Sequence, residues 1–325
     1  MTPDDPRTTA ADGVRDRLAI GTEVAAALVE GRPVVALEST LISHGFAYPD
    51  NLVVARASEA AVRESGAVPA TVAIRDGRLL VGLSNADLEA LAGAERGSVM
   101  KAARPSLAPA LARPGWAATT VSATMIAAHA AGIRVFGTGG IGGVHRATDG
   151  GLSLDISSDL DELARTPMAV VCAGPKAILD VPNTLEVLET RGVPVVALGQ
   201  SELPGFYSRS AGMAAPHSVA DEVALAELVR THLDLGLGSG ILVCVPVPAD
   251  AALPEATARA AIDRATAEAG AAGVHGPDLT PWLLARIAVL TDGAAVRANT
   301  ALIVNNARVA GRLAAALVAA SASRR

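Results

Sequence analysis

Three apolar segments of the sequence end in groups that could do chemistry. The segment VVAL is followed directly by Glu38, RVFG runs into a glycine-rich loop and His145, and AVVCAG leads to Lys176. Each segment has the length and composition of a buried β-strand. Because ligands of open α/β sheets lie outside the carboxyl ends of the strands, we expect these groups to meet at one edge of a sheet.

Lys176 is the most informative of these residues. It and Lys101 are the only lysines in the sequence, and the other 25 of the 27 basic residues are arginines. Arginine stays charged and cannot form an imine, so a lysine in such a chain indicates a nucleophile. The apolar residues that follow it would favour the neutral amine. The alternative is a lysine at a helix start whose ammonium group extends to the surface.

Acidic and histidine side chains supply the other candidate groups. A carboxyl at the end of an apolar strand, such as Glu38, is partly desolvated and suits a general acid, although a capping or surface role remains open. Asp155 and Asp159 offer oxygen ligands for a divalent cation, and helix capping explains Asp159 equally well. His44 and His145 are candidates for proton transfer or phosphate contact, with a structural role as the alternative.

The glycine-rich loop GTGGIG (137–142) fits the G-x-G-x-x-G pattern of dinucleotide-binding enzymes. That fingerprint needs a helix to begin at the third glycine, whereas the loop continues into the polar segment GVHRATDGG. We therefore expect neither NAD nor flavin, which argues against an oxidoreductase. A plain turn is one alternative. The favoured interpretation is a loop whose backbone approaches a small substrate so closely that Cβ atoms would clash.

Composition narrows the range of partners and compartments. The net charge is −6 with no long basic block, so we expect no nucleic-acid polymer as a partner. Cys172 and Cys244 stand in apolar runs and are expected to be buried, reduced thiols. The polar N-terminus lacks the apolar core of a signal peptide, and the alanine-rich segment 117–131 is too polar and short to span a bilayer. A cytoplasmic protein that binds no membrane is expected.

Apolar periodicity predicts strands that alternate with helices, and therefore an α/β fold. A hairpin at Asp76-Gly77 adds an antiparallel pair, so we expect three α/β/α layers with a central mixed, mostly parallel sheet. The proline-rich segment 98–116 is predicted to be irregular, and Ser158 is predicted to cap a helix. The last 70 residues are predicted to be mostly helical. A flexible tail at 1–15 precedes a single domain at 16–325.

The candidate lysine, carboxyl and metal ligands together fit cleavage of a phosphosugar through an imine. Several long motifs sharpen this interpretation: VALESTLISHGFAYPDN, GAVPATVAIRDGRLLVGLS, ATTVSATMIAAHAAGIRVFGTGGIGGVHR, DISSDLDELA, VVCAGPKAILD and NTLEVLETRGVPV. Together they closely resemble the pseudouridine-5′-phosphate glycosidase family, also called indigoidine synthase A-like. The resemblance runs from about residue 20 to about residue 320.

The resemblance implies a function and a set of site residues. Members of that family reversibly cleave the C–C glycosidic bond of pseudouridine 5′-phosphate to uracil and ribose 5-phosphate, as homotrimers that use Mn²⁺. By motif, Glu38 resembles the proton donor, Lys176 the covalent nucleophile and Asp155 the metal ligand. Further residues resemble substrate-binding positions: Lys101, Val121, Thr138, His145, Ser157, Ser158, Asp159 and Asn299.

Departures from the family pattern concern loops. The family's AGAK reads AGPK here, the loop between His145 and Asp155 is slightly long, and the segment after Lys101 matches loosely. Nothing in the sequence resembles the sugar kinase to which some relatives are fused.

Two other functions make different demands on the chain. A non-catalytic binder of nucleotides or phosphosugars would bind without turnover, and an N-nucleoside hydrolase would need a cluster of aspartates that the sequence lacks.

Overall fold

The computed structural model describes residues 13–95, 97–146, 153–274 and 279–322. Of the tail predicted at 1–15, residues 1–12 lie outside the described residues, and residues 13–15 are helical. Residues 147–152, in the loop between His145 and Asp155, also lie outside them. The candidate site residues named above all fall within the described ranges.

A large mixed sheet forms the centre of the protein. Its strands, with those of a small separate ribbon, are β1 (Leu18–Ile20), β2 (Val34–Leu37), β3 (Val68–Arg75), β4 (Arg78–Val81), β5 (Met100–Ala102), β6 (Trp116–Thr119), β7 (Val135–Gly137), β8 (Val144–His145), β9 (Ala169–Cys172), β10 (Leu179–Asp180), β11 (Val195–Leu198), β12 (His217–Val219) and β13 (Ile241–Cys244). The sheet runs in the order β1, β4, β3, β2, β7, β9, β13, β11, β12, and β6 pairs with both β3 and β5. Its strands pair in parallel except at β3–β4 and β3–β6, so the predicted mixed, mostly parallel sheet is confirmed. Strands β8 and β10 form the antiparallel ribbon.

Helices connect the strands and cover the sheet. They are α1 (Thr22–Val29), α2 (Asp50–Glu64), α3 (Asn85–Ala92), α4 (Leu107–Leu111), α5 (Val121–Ala130), α6 (Ser158–Leu163), α7 (Val181–Thr190), α8 (Glu222–Asp234), α9 (Glu255–Ala271), α10 (Leu279–Leu290) and α11 (Ala294–Ala322). A π-helical turn follows β2 at Leu41–Gly45. The C-terminal region is helical, as predicted.

Alternate residues of strand β2 belong to two different cores. Val34 and Ala36 pack in the cluster that contains Met125 of α5. Val35 and Leu37 pack in the cluster built by α2, α8 and α11 on the opposite face. Because successive side chains of a strand point to opposite faces, a strand buried on both faces is apolar throughout. This double burial gives the predicted three layers.

Two local predictions are corrected by the structure. The segment 98–116, predicted to be irregular, contains β5, a 3₁₀ turn and α4, and β6 begins at its end. Pro105 and Pro109 are tolerated because the first turn of a helix leaves N–H groups without an intrahelical partner, and Pro114 lies in the bend before β6. The N-cap of α6 is Ser157, whose hydroxyl accepts a hydrogen bond from the Asp159 N–H at 3.2 Å, so the prediction of Ser158 is wrong by one residue.

One helix of the described chain, at Ala294–Ala320, is long and apolar enough to cross a membrane. More than half of its most apolar stretch, 56%, is buried inside the protein. Ala307, Ala310 and Leu313 pack in the core on the sheet. We therefore interpret α11 as a core helix, which accounts for its apolar composition without a bilayer.

Candidate active site

Glu38 lies at the carboxyl end of β2, where the strand gives way to polar residues. The next residue secures this end of the strand, because the Ser39 hydroxyl accepts a hydrogen bond from the Thr119 N–H of β6 at 2.9 Å. Glu38 is only 7% exposed. The hydroxyl of Thr138, at the carboxyl end of neighbouring β7, donates a hydrogen bond to its Oε1. The carboxyl group is thus buried and held in one orientation.

Burial raises the pKa of the Glu38 carboxyl above its ordinary value of 4.5. The positive charges of Lys176 and Lys101 and the hydrogen bond from Thr138 act in the opposite direction, whereas the negative charge of Asp159 adds to the rise. Desolvation is the largest of these effects, so the protonated acid is favoured more than in an exposed glutamate. A carboxyl group of this kind can donate a proton near neutral pH.

Lys176 reaches the same place from strand β9. The chain turns at Gly174, whose φ of +87° lies in the left-handed region that glycine adopts without strain. Ile141 then pairs with this turn: its N–H donates to the Gly174 carbonyl at 3.2 Å, and its carbonyl accepts from the Lys176 N–H at 3.1 Å. These bonds tie the lysine to the glycine loop. The half-buried Lys176 lies near enough to Glu38 for its charge to lower the pKa of that carboxyl.

Two glycines of the glycine loop are needed for packing within the protein, whereas the sequence indicated close approach to a substrate. A Cβ atom at Gly140 would lie 2.5 Å from the Phe206 ring, and one at Gly142 would lie 2.3 Å from the Ser157 hydroxyl. These glycines therefore allow close packing between protein segments, and the favoured interpretation, a clash with substrate, is not needed to account for them. Beyond the third glycine the chain enters strand β8, not a helix, so the geometry of a dinucleotide fingerprint is not formed.

Asp159 links three segments of the chain through hydrogen bonds. It is 5% exposed, and its two carboxylate oxygens accept hydrogen bonds from the Ser122 N–H of α5 and the Gly142 N–H of the glycine loop, both at 2.9 Å. Beside it, the hydroxyls of Ser158 and Ser122 lie 3.2 Å apart. These contacts bring the SSD segment, the first turn of α5 and the glycine loop together, and place a negative charge near Glu38.

A second lysine and a helix N-terminus complete this end of the sheet. Lys101 lies on β5, and the next residue, Ala102, accepts a hydrogen bond from the Thr120 N–H at 2.8 Å, immediately before Val121 begins α5. The Lys101 side chain is exposed, yet the surrounding protein partly desolvates it and the charge of Lys176 opposes its own. Both effects lower the pKa of Lys101. Two cations beside a helix N-terminus form a suitable environment for an anion.

The predicted metal ligand Asp155 lies next to His145. The His145 N–H donates to the Asp155 carbonyl at 2.9 Å, and the Asp155 side chain is exposed. Across residues 13–95, 97–146, 153–274 and 279–322, no group of three or more His, Cys, Asp or Glu side chains is arranged to hold a metal ion. The single carboxylate fits only a hard cation that keeps most of its water ligands.

Asn299 lies apart from the hydrogen bonds described above. It is half-buried on α11 and lines a cavity of about 180 Å³ together with His44, Phe46 and Tyr207. The imidazole Nδ1 of His44 lies 2.8 Å from the Ser43 hydroxyl. This cavity faces the π-helical turn that follows Glu38, so Asn299 approaches the region from the side of the C-terminal helices.

Comparison with known proteins shows the family of this chain. The model of the family described as indigoidine synthase A like protein matches residues 23–316. The chain belongs to this family. A protein named pseudouridine-5′-phosphate glycosidase from Paracoccus denitrificans is 53% identical over 92% of this chain and 98% of its own length. One with the same name from Caldanaerobacter subterraneus is 51% identical over 92% of this chain and 96% of its own.

Two solved structures share the fold. A prealnumycin C-glycosynthase in complex with ribulose 5-phosphate superposes with a TM-score of 0.86, at 39% identity, over 94% of this chain and 99% of its own. A protein from Thermotoga maritima described as indigoidine synthase A-like gives a TM-score of 0.81, at 30% identity, over 93% of this chain and 96% of its own.

The structure brings several of the predicted site residues together. Contacts or electrostatic effects link Glu38 to Lys101, Thr138, Asp159 and Lys176. Two further groups of residues lie near these side chains. Val121, Ser157 and Ser158 surround Asp159 through backbone or neighbouring groups. His145 and Asp155 contact each other beyond the glycine loop.

One residue of this region was missed by sequence reasoning. Asn306 of α11 is completely buried, and its Nδ2 donates to the carbonyls of Thr138 at 2.9 Å and Gly139 at 3.2 Å. It thereby holds the start of the glycine loop. An asparagine within an otherwise apolar core stripe was the available signal, because a buried amide must find hydrogen-bond partners.

Proposed function

We propose that this protein reversibly cleaves the C–C glycosidic bond of pseudouridine 5′-phosphate, with water, to uracil and ribose 5-phosphate. The observation that carries the proposal is the buried carboxyl of Glu38 beside the Lys176 ammonium, which pairs a proton donor with a potential amine nucleophile. The names of the relatives support the substrate, and the structurally similar C-glycosynthase solved with ribulose 5-phosphate supports a phosphorylated sugar.

Glu38 would act first, on the ribose ring. A bond from C1′ to uracil C5 has no heteroatom leaving group, so simple protonation and water attack, as in ordinary glycosidases, does not break it easily. Protonated Glu38 would deliver its proton to the ring oxygen while the pyrimidine pushes electrons into the breaking C1′–O bond. The ring opens, and Glu38 is left as a carboxylate.

Lys176 would act next, as the covalent nucleophile. Its neutral amine adds to C1′ of the opened ribose phosphate. The proton that the added nitrogen loses passes to uracil C5. The C–C bond then breaks, uracil leaves, and the sugar remains on the lysine as an imine. Water then hydrolyses the imine and releases ribose 5-phosphate. The tie between Lys176 and the glycine loop would hold the amine at C1′ throughout.

The remaining predicted residues would bind and orient the substrate. Lys101 and the N-terminus of α5, which begins at Val121, suit the substrate phosphate. Ser157 and Ser158 add hydroxyl groups beside them, whereas Asp159 would act through the backbone groups that it holds. The other residues proposed to contact substrate are Thr138, His145 and Asn299.

We also propose a divalent cation, Mn²⁺, at Asp155, and a homotrimer in the cytoplasm. An exposed carboxylate would hold such an ion with most of its water shell in place. When bound, the ion would neutralise negative charge on the substrate. The proposed steps at Glu38 and Lys176 do not pass through it.

The test is synthesis in the reverse direction. Purified protein is incubated with Mn²⁺, uracil and ribose 5-phosphate, and the products are separated by chromatography, with Lys176→Ala and Lys176→Arg alongside. We expect a pseudouridine 5′-phosphate peak from the wild type only, because neither variant can form the imine. Substantial turnover by Lys176→Arg would overturn the lysine's role. A wild type that binds ribose 5-phosphate but catalyses neither direction would be a binding protein.

A further inference from the structure

A small cavity lies against Glu38, and Gly137 and Thr138 at the start of the glycine loop form part of its wall. Its volume is about 10 Å³, which is about the room that a single buried water molecule needs. Four residues with polar side chains line it: Glu38, Ser58, Thr71 and Thr138. A buried water typically makes two to four hydrogen bonds, so this lining suits a water molecule that contacts the Glu38 carboxyl.

Thr71 leads from this cavity towards the surface. It lies on β3 directly opposite Leu37 of β2, one residue before Glu38, and is 2% exposed. Its hydroxyl donates a hydrogen bond to Oε1 of Glu59 at 2.5 Å. A buried hydroxyl between a water site and a carboxyl can pass a proton, because it both donates and accepts hydrogen bonds.

Glu59 connects this path to solvent. It is half-buried on α2, and it also lines a groove of about 510 Å³ between α1, α2 and the β4 end of the sheet. The exposed side chains of Glu23 and Arg63 line the same groove and form an ion pair with each other. Glu59 thus has the buried Thr71 hydroxyl on one side and an open groove on the other.

The charges around Glu59 determine how it can serve. Desolvation raises the pKa of its carboxyl above 4.5, and the negative charge of Glu23 acts in the same direction. The Thr71 hydrogen bond and the positive charges of Arg63 and Arg56 act in the opposite direction. Since burial is the largest effect, Glu59 holds a proton at higher pH than an exposed glutamate does.

We propose that Glu59, Thr71 and one water molecule in the cavity carry protons between the outer groove and Glu38. After Glu38 has given its proton to substrate, the Thr71 hydroxyl rotates from Glu59 towards the water. The water donates a proton to the Glu38 carboxylate and takes the hydroxyl proton of Thr71. The Thr71 oxygen takes a proton from the Glu59 carboxyl. Glu59 is left as a carboxylate and regains its proton from solvent in the groove, so one proton crosses in total.

This inference rests on the proposed function, in which Glu38 spends one proton on the ring oxygen in each turnover. The sugar leaves with that proton, so Glu38 must regain one before the next cycle. The substrate and the covalently bound sugar would occupy the Lys176 side of the carboxyl. A route through Thr71 and Glu59 would allow Glu38 to be reprotonated while bound sugar closes the Lys176 side to solvent.

The test compares Glu59→Gln and Thr71→Val with matched controls. Glu59→Gln and Thr71→Val each break the path, and we expect kcat to fall about 10-fold, less than the 10²–10⁴-fold expected for loss of a general acid itself. KM should stay unchanged, and the solvent deuterium isotope effect on kcat should rise because proton delivery becomes slow. Thr71→Ser keeps the hydroxyl and should restore wild-type kcat. Glu64→Gln removes an exposed carboxylate from the same helix, α2, where it pairs with Arg308, and should leave kcat unchanged.

The outcomes separate the two proposals. Unchanged kcat and isotope effect in Glu59→Gln, with an active wild type, would overturn the relay alone. An equal loss in Glu59→Gln and Glu64→Gln would show a general charge effect and overturn it too. A wild type without turnover would overturn the proposed function and the relay with it. Thermal unfolding shows whether each variant folds. If Thr71→Val does not fold, the kcat and isotope effect of Glu59→Gln alone test the relay.

Discussion

The pKa values of Glu38 and Glu268 are shifted in opposite directions. Glu38 is buried at the carboxyl end of the sheet, and desolvation raises its pKa. Glu268 lies on the surface of α9, where it accepts hydrogen bonds from Arg264, one turn away, and from Arg286 of α10. These two arginines lower the pKa of Glu268 to about 2.

Solvent decides the difference between these regions more than the number of nearby cations does. Glu38 also has two positive charges close by, on Lys176 and Lys101, yet burial outweighs them. Glu268 keeps its solvent contact, so the arginines act on it with little desolvation to oppose them. A buried glutamate beside a lysine is therefore suited to proton transfer, whereas a partly exposed one between arginines joins two helices.

The largest expected effect is on catalysis by Glu38→Gln. If Glu38 is the proton donor, we expect kcat to fall about 10²–10⁴-fold, because glutamine cannot donate a comparable proton. The measurement is steady-state cleavage of pseudouridine 5′-phosphate, with circular dichroism as a check on folding. Retention of wild-type kcat would remove Glu38 from the mechanism.

The same variant tests the sign of the pKa shift. Folding raises the pKa of this carboxyl above its unfolded value of 4.5. The free energy of unfolding of the protein therefore decreases as pH rises from the unfolded pKa to the folded pKa. Glu38→Gln lacks this loss, so its stability in urea should decline less than that of the wild type as pH rises from about 4 to about 8. Parallel curves for the two proteins would contradict a raised pKa.

Thr138→Val should have an intermediate effect. It removes the hydrogen bond to Glu38 Oε1, one of the interactions that lower the pKa of that carboxyl, so the pKa should rise further. We expect the basic limb of the kcat–pH profile to move to higher pH, with a loss of about 1 kcal/mol in folding stability. Thr138→Ser keeps the hydroxyl and is the control. If the limb stays in place for Thr138→Val, this hydrogen bond does not influence the acid.

The smallest expected effect is that of Glu268→Gln, on stability alone. A lowered pKa gives stability that is present above the unfolded value of 4.5 and is lost as pH falls towards about 2. The variant should therefore be slightly less stable than the wild type near neutral pH and equal to it in strong acid, with kcat unchanged. Glu255→Gln, which breaks a pair with a single arginine, should change stability less. A deficit for Glu268→Gln that persists in strong acid would point to packing instead of charge.

Particular elements show how far sequence reasoning reached. Strand β2 was predictable because a short apolar run that stops at a polar residue is typical of a buried strand. The Asp76-Gly77 turn correctly predicted the hairpin of β3 and β4. Strand β6 was not predicted. It is short, and its residues continue into α5 without a break in composition, so local propensity gave no boundary.

The candidate site was predictable in its residues more than in its contacts. The rarity of lysine drew attention to Lys101 and Lys176, and the structure places the charges of both near Glu38. The hydrogen bonds from Asn306 to the loop at Thr138 were not predictable. They join positions 168 residues apart, which only the docking of α11 on the sheet brings together.

The amino-acid sequence by itself determined the layers of the fold, the family and the chemical types available, because apolar periodicity and rare reactive residues are local properties. Only the tertiary structure decided what those residues experience. Burial raises the pKa of Glu38, packing between segments accounts for the loop glycines, and the hydrogen bond from Thr71 to Glu59 forms because α2 packs beside β3. Desolvation and contact depend on neighbours distant in sequence, and the folded chain alone supplies them.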